Sequence, residues 1–130
     1  MNKKFSLILF FMFLLCNNCF AARWAEIGHK QYLDFDSIEL DGFIVTAWFK
    51  DLNPGNWDLY YGNKVYYLLQ RVAIDCRNKK VGLRSAAYYG LKNNLLSPFV
   101  PDQYGWTSVI PDSMGEYKYK IMCKPFDDKK

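Results

Sequence analysis

Few side chains in this chain have types and spacing suited to catalysis or metal binding. His29 is the only histidine among 130 residues, so a catalytic triad or a multi-histidine metal site could not be completed from histidines. It stands between a glycine and a lysine, which is typical of an exposed turn. Asp34, Asp36 and Glu39 could supply paired carboxylates for glycoside hydrolysis, but aspartates beside a hairpin usually accept local backbone hydrogen bonds. The sequence predicts no enzyme, no metal site and no cofactor.

The cysteines point to structure rather than to redox chemistry. Cys16 and Cys19 lie in an apolar N-terminal segment, whereas Cys76 and Cys123 lie in the rest of the chain without a C-x-x-C spacing. An even pair in an exported protein is typical of a disulfide. We predict a Cys76–Cys123 bridge, which by the chain-entropy relation would contribute about 4 kcal/mol to stability.

The N-terminus has the order of a secretory signal. Residues 1–4 include two lysines, residues 5–16 are apolar except for Ser6, and Ala21 ends a cleavage-like site. The apolar run is shorter than the roughly 20 residues that span a bilayer. We therefore predict a signal peptide over 1–21 and one exported domain over 22–130, with no membrane span after cleavage. Lipidation of Cys16 or Cys19 is the alternative, but neither follows the small residue that lipid attachment requires.

The charge of the mature domain is modest. The full chain carries +4, and removing the leader takes away two lysines and no acidic residue. Nucleic-acid binding usually needs clustered positive charge on one face, so we expect no nucleic-acid partner. The length suits one domain, and the many Tyr, Phe and Trp residues favour a sheet.

Alternating apolar residues predict an antiparallel meander of three long strands. Asp41–Gly42 predicts a hairpin with positive φ at both positions, after a short strand over 31–35. The strand over 43–50 places Phe43, Val45, Ala47 and Phe49 on one face. A second strand over 64–76 is predicted, with a bulge near residues 68–70. The third strand presents Val81, Leu83, Ser85, Ala87 and Tyr89 on one face.

The opposite face of this sheet is too aromatic to face water entirely, because it includes Trp48, Tyr66 or Tyr67, and Tyr88. Residues 91–111 contain three prolines and are predicted to be irregular, with a brief edge strand over 106–110. Residues 113–123 are ambiguous. Ser113 and Glu116 fit a helical capping box, whereas alternation from Tyr117 to Cys123 fits a strand.

Two aromatic loops are the candidate protein-binding surfaces, since exposed Trp and Tyr are favoured at interfaces. One is the loop over 53–63, and the other is the segment over 91–111. The alternative is that these rings fold back onto the edges of the sheet. The candidate residues are Trp57, Tyr60, Tyr61, Phe99, Tyr104 and Trp106.

A series of short motifs resembles the surface-adhesin protein E family of bacterial exported proteins. Their order and spacing across the predicted domain carry the resemblance. In sequence order they are Trp24 and Gly28; Tyr32-x-Asp34-x-Asp36-Ser37-Ile38; Asp41-Gly42; Val45-x-x-Trp48; Asp75-Cys76; Tyr88-Tyr89; and Pro111-x-Ser113-x-Gly115 before Cys123.

The resemblance implies a mainly β (α+β) fold, with one antiparallel sheet of about six strands and a short C-terminal helix packed on it. The cystine would join helix to sheet, and the helix would cover the aromatic face. The implied function is non-enzymatic binding of a protein ligand, either a host matrix or serum protein or a cell-envelope protein. The uncovered face or edge of the sheet also allows a homodimer. A soluble periplasmic structural or inhibitor-like protein without a host ligand is the alternative, favoured by the lack of a good lipidation site.

Overall fold

The computed structural model describes residues 22–52, 59–60, 63–99 and 105–127, so the predicted leader lies outside the described residues. Within these ranges the chain forms ten strands, one 3-10 turn (Phe35–Ser37) and one helix, α1 (Met114–Asp127). The strands are β1 (Trp24–Gly28), β2 (Gln31–Asp34), β3 (Glu39–Asp41), β4 (Ile44–Leu52), β5 (Leu59–Tyr60), β6 (Asn63–Lys64), β7 (Tyr67–Asp75), β8 (Lys80–Tyr89), β9 (Leu95–Phe99) and β10 (Thr107–Ser108).

The main sheet is open, and its described strand pairs are antiparallel. Six strands run side by side in the order β1-β2-β4-β7-β8-β10. Two short strands complete the sheet. β3 pairs with the first part of β4, whose last part pairs with β2. β9 pairs with the last part of β8, whose first part pairs with β10. β5 and β6 form a separate hairpin. The predicted sheet with a C-terminal helix is confirmed, with eight strands in place of about six.

The core lies between one face of the sheet and α1. Val45, Ala47 and Phe49 project toward the helix from alternate positions of β4, as predicted, and Phe49 is 0% exposed. Burying such side chains contributes about 1.5–3 kcal/mol each. The cluster is completed by residues from β2, the end of β7 and α1, which are Leu33, Val72, Ile74, Cys76, Tyr119, Met122 and Cys123.

The β3–β4 hairpin is present, but its turn lies one residue later than predicted. Asp41 pairs with Ile44, so Gly42 and Phe43 are the two loop residues. Gly42 has φ +60°, whereas Phe43 does not have positive φ. A positive φ at the first loop position alone is the type II′ pattern, which favours glycine there. Phe43 consequently lies in the turn, where it is more than a third exposed, rather than in the core face of β4.

The bulge predicted near residues 68–70 is absent, because β7 pairs regularly there; the bulge of this strand pair lies on β8 instead. Val72 pairs with Leu83 and Arg71 pairs with Ser85, which leaves Arg84 as the extra residue. An extra residue shifts every later side chain to the opposite face. The prediction that Ser85, Ala87 and Tyr89 share a face with Leu83 was therefore wrong. Ala86 and Tyr88 take that face, and Ala86 is buried.

The segment predicted to be irregular contains a paired strand. β9 lies within it and pairs with β8 from Ala86 to Tyr89. Pro98 is tolerated in β9 because β9 is an edge strand, and on its outer side no backbone N–H is needed for pairing with another strand. The brief edge strand predicted over 106–110 is confirmed as β10, which pairs with Lys80 and Val81.

The ambiguous segment is a helix, as the capping box indicated. The Ser113 hydroxyl accepts a hydrogen bond from the Glu116 N–H at 3.2 Å, and the Glu116 carboxylate accepts one from the Asp112 N–H at 2.9 Å. The predicted disulfide joins Cys76, after β7, to Cys123 in α1, with Cα atoms 5.4 Å apart. Pro125 falls in the last turn of the helix, where its missing N–H removes one intrahelical hydrogen bond.

The helix does not cover the face that the resemblance assigned to it. α1 lies on the aliphatic face, where it contacts Val45, Phe49 and Ile74. The side chains of Trp48, Lys50 and Tyr67 alternate with that face and therefore project to the other side of the sheet. We call this second side the open face.

Candidate functional site

The structure leaves most of the predicted binding residues untested. Trp57, Tyr61 and Tyr104 lie outside the described residues, and only the backbone is described for Tyr60 in β5 and Phe99 in β9. Trp106 is described and is 38% exposed. The guanidinium carbon of Arg84 lies 4.5 Å from its ring centroid. That cation–π contact holds an exposed aromatic ring at the β8–β10 edge.

The open face carries a band that crosses five strands, four of which contribute an aromatic side chain. Trp24 from β1, Tyr32 from β2, Tyr67 from β7 and Tyr89 from β8 share this face according to the strand register. All four are half-buried. We call Trp24, Tyr32, Lys50, Tyr67 and Tyr89 the aromatic band, because Lys50 of β4 lies among the four rings.

Lys50 connects the two halves of the band. Its Nζ lies 4.6 Å from the ring centroid of Trp24 and 5.4 Å from that of Tyr67. Contacts within about 6 Å of an aromatic face are favourable for a cation. The ammonium group therefore holds Trp24 and Tyr67 in place and gives the band a positive centre.

Tyr67 and Tyr89 form the other half of the band. Their rings are stacked, with centroids 4.7 Å apart and planes 9° from parallel. The Tyr67 hydroxyl donates a hydrogen bond to the Asn93 side chain. Burial, together with the neighbouring Tyr89 phenol, raises the pKa of Tyr67. The Tyr67 phenol is therefore neutral at physiological pH, and the two stacked rings form a rigid platform.

Charged side chains flank the band on the same face. Arg71 of β7 forms an ion pair with Glu39 of β3, with a nitrogen–oxygen distance of 2.8 Å. The face thus combines aromatic rings, a lysine held between two of them and a paired arginine. Aromatic residues and arginine are the types enriched in protein interfaces and in their energetically dominant positions.

The residues considered for catalysis have structural roles. The Asp34 carboxylate accepts hydrogen bonds from the backbone N–H groups of Arg23 and Asp36, as predicted for a local turn. Ser37 bonds the Asp34 carbonyl and accepts from the Trp48 N–H, which ties the 3-10 turn to β4. His29 is in an exposed turn and contacts the Tyr117 ring edge-on. Among the described residues, no three His, Cys, Asp or Glu side chains are grouped as metal ligands.

A buried polar group under the helix was missed by the sequence analysis. Lys118 of α1 is only 5% exposed, and its Nζ lies 3.7 Å from the Asp51 carboxylate. Gln70 donates to the same carboxylate oxygen at 2.7 Å, while the other oxygen, Oδ1, has no hydrogen-bond partner. Burial raises the pKa of Asp51 and lowers that of Lys118, and each partner opposes the shift of the other.

Signals for this group were present in the sequence. Asp51 continues the alternation of Val45, Ala47 and Phe49 toward the helix, and Lys118 lies four residues after Met114 and four before Met122. Such spacing places a helical residue on the apolar stripe. Asp51 and Lys118 line a cleft of about 330 Å³ between α1 and the sheet.

The fold is an open antiparallel sheet with a C-terminal helix that a cystine joins to one of its faces. The sequence profile described as Surface-adhesin protein E matches residues 24–124. The chain therefore belongs to the surface-adhesin protein E family, which confirms the resemblance seen in the sequence.

Solved structures agree on the fold. Crystal form II of Haemophilus influenzae protein E has a TM-score of 0.55 and 18% identity, and the match covers 75% of this chain and 83% of that chain. Protein E from non-typeable Haemophilus influenzae has a TM-score of 0.56 and 15% identity, covering 84% and 82%. No curated protein matches the chain significantly.

Membership in this family implies an adhesin-like protein that is exported or carried at the cell surface. None of the described helices is long and apolar enough to cross a membrane.

Proposed function

We propose that this chain is a non-enzymatic, exported binding module whose ligand is a protein, and that the aromatic band is its main contact surface. The single observation that carries the proposal is the position of the band on the sheet face that α1 leaves uncovered. The family assignment supports host matrix or serum proteins as the ligand class. The predicted loop residues, including Trp57 and Trp106, are the second candidate contact surface.

The chemistry of the band suits protein recognition. Lys50 has already lost part of its hydration to Trp24 and Tyr67, so a carboxylate of the ligand could pair with it at reduced desolvation cost. The stacked Tyr67–Tyr89 pair offers a large rigid area with two phenol hydroxyls. Rigid aromatic side chains bury area with little loss of side-chain entropy, which makes them effective anchors.

The direct test uses immobilised, purified extracellular-matrix and serum glycoproteins together with a cell-envelope extract. We expect Tyr67→Ala and Trp24→Ala each to weaken ligand binding tenfold or more, since truncating a central interface aromatic costs about 2 kcal/mol. Leu91→Ala is the matched control, because Leu91 is the most exposed large apolar residue described and lies outside the band. Trp57→Ala and Trp106→Ala test the loop surface.

Unchanged affinity in every band variant would contradict the role of the open face. Unchanged affinity in the Trp57 and Trp106 variants alone would limit the ligand to the sheet. Thermal unfolding of each variant separates loss of a contact from loss of the fold.

The cellular location distinguishes a host ligand from an envelope ligand. If the protein binds host proteins, protease added to intact cells should degrade it. Release only by osmotic shock would instead support the periplasmic structural or inhibitor-like alternative.

A further inference from the structure

An apolar groove opens beside β3, on the side of β4 away from β7. It has a volume of about 360 Å³ and lies between β3 with its preceding turn and the last turns of α1. Phe35, Ile38 and Leu40 line one side, while Ile121 and Phe126 line the other. Leu40 is 63% exposed. Exposed apolar side chains gathered beside a groove are typical of a binding surface.

The groove runs beside an unpaired strand edge. β3 pairs with β4 on one side, and no described strand pairs with its other side. An unpaired edge presents backbone N–H and C=O groups that can pair with another extended chain. Proteins usually protect such an edge by making it short and charged. β3 is short, but Leu40 and the neighbouring Ile38 keep its helix side apolar.

The other side of β3 is acidic. Because Leu40 projects toward the groove, Glu39 and Asp41 project toward the open face. Glu39 is paired with Arg71, whereas Asp41 has no ion-pair partner among the described residues. Side chains directly opposite each other on neighbouring strands are favoured when their charges are opposite. A strand added beside β3 would therefore favour lysine or arginine at positions facing Glu39 and Asp41.

We propose that β3 accepts an extended segment of a partner protein, which adds a strand to the sheet. The segment alternates apolar residues, which enter the groove, with basic residues, which face Glu39 and Asp41. This β-augmentation obtains affinity from backbone hydrogen bonds and specificity from alternate side chains. The inference rests on the proposed function as a protein-binding module, but it uses a surface separate from the aromatic band.

The probe for the test is acetyl-Lys-Val-Lys-Val-Lys-amide, added to the isotope-labelled domain in an NMR titration. We expect saturable shifts of backbone amides confined to residues 36–44 and to residues 121–126, which form the other wall of the groove. The same peptide with alternate backbone nitrogens methylated should lose binding, because it cannot complete the ladder. A Glu-Val-Glu-Val-Glu probe should bind at least tenfold more weakly, and Glu39→Lys with Asp41→Lys should reverse that order.

Leu40→Asp should weaken binding of the lysine probe tenfold or more. Leu91→Asp, the control after β8, should leave the affinity for that probe unchanged. Leu40 is exposed enough for the fold to survive, and the melting temperature checks this. Shifts centred on the aromatic band, or equal binding by Leu40→Asp, would overturn the proposal. Concentration-dependent shifts of the β3 amides without any probe would also overturn it, because the occupant would then be a second copy of this chain. Loss of glycoprotein binding in band variants that still bind the probe would concern the proposed function alone.

Discussion

The two faces of the sheet are built from the same strands but have opposite chemistry. Phe49 faces α1 and is fully buried in a mainly apolar layer that also contains the Lys118 ammonium, 4.9 Å from its ring centroid. Its neighbour Trp48 faces the other side, near half-buried aromatic and charged residues. On the helix face, burial is nearly complete and a disulfide fixes the packing. On the open face, the contacts are cation–π and ring stacking between partly hydrated groups.

The two faces separate the contacts that stabilise the fold from the contacts that a ligand could replace. Complete apolar burial provides most of the stabilising free energy of a domain, so truncating a core side chain on the helix face should cost far more stability than truncating one on the open face. Partly exposed cation–π and aromatic contacts contribute about 0.5–1.5 kcal/mol each. The open face can therefore vary or exchange its contacts for those of a ligand while the fold persists.

The largest expected difference between the faces is at neighbouring positions of β4. Phe49→Ala should lower the free energy of unfolding by about 3–5 kcal/mol, since it removes a fully buried ring and leaves a cavity. Trp48→Ala should lower it by only about 1 kcal/mol, because its ring is already partly hydrated. Urea unfolding monitored by circular dichroism measures both. Equal losses would show that the open face is as much a core as the helix face.

The disulfide should provide the next largest effect, and only through the helix face. Replacing Cys76 and Cys123 together by alanine should cost about 4 kcal/mol, because the bridge closes a separation of 47 residues. The Lys50–Trp24 contact on the other side should be unchanged in any variant that remains folded. A double variant as stable as the oxidised parent would contradict a stabilising role for the bridge.

The difference between the faces was only partly predictable from the sequence. Alternation identified the core side of β4, because burial on one face requires a period of two. The same rule failed on β8, where Arg84 is an extra residue that neither its type nor its neighbours indicate. It also missed β9, which is specified by its pairing with β8 rather than by a pattern of its own.

The candidate site was less predictable than the fold. The aromatic band joins residues from five strands, and its composition follows from strand register, which no local pattern supplies. Exposure is easier to infer for loop residues than for residues on a sheet, so the loop aromatics were the ones predicted to bind. It also could not anticipate Lys118 beside Asp51, since that contact requires α1 to lie over β4.

Lys118 and Asp51 test whether the helix face needs polar groups at all. Lys118→Met should destabilise by about 3 kcal/mol because it leaves a largely buried carboxylate without its cation. Asp51→Leu should destabilise the fold by a similar amount, because it leaves the buried Lys118 ammonium without its carboxylate partner. The double variant should be close to the parent in stability, because well-packed apolar residues usually replace a buried ion pair without loss. Chemical unfolding of the four proteins gives the coupling energy, and additive losses would refute this account.

The smallest expected effect lies on the open face, in the contact between Lys50 and Trp24. Lys50→Met keeps the apolar stem but removes the charge, and Trp24→Leu keeps apolar bulk but removes the ring. A double-mutant cycle with these variants should give a coupling of about 0.5–1 kcal/mol, the range of a partly exposed cation–π contact. The cycle is measured by urea unfolding at low and at high salt. A coupling above about 2 kcal/mol would place the ammonium in a fully desolvated site, and the open face would then be a second core rather than a surface available to a ligand.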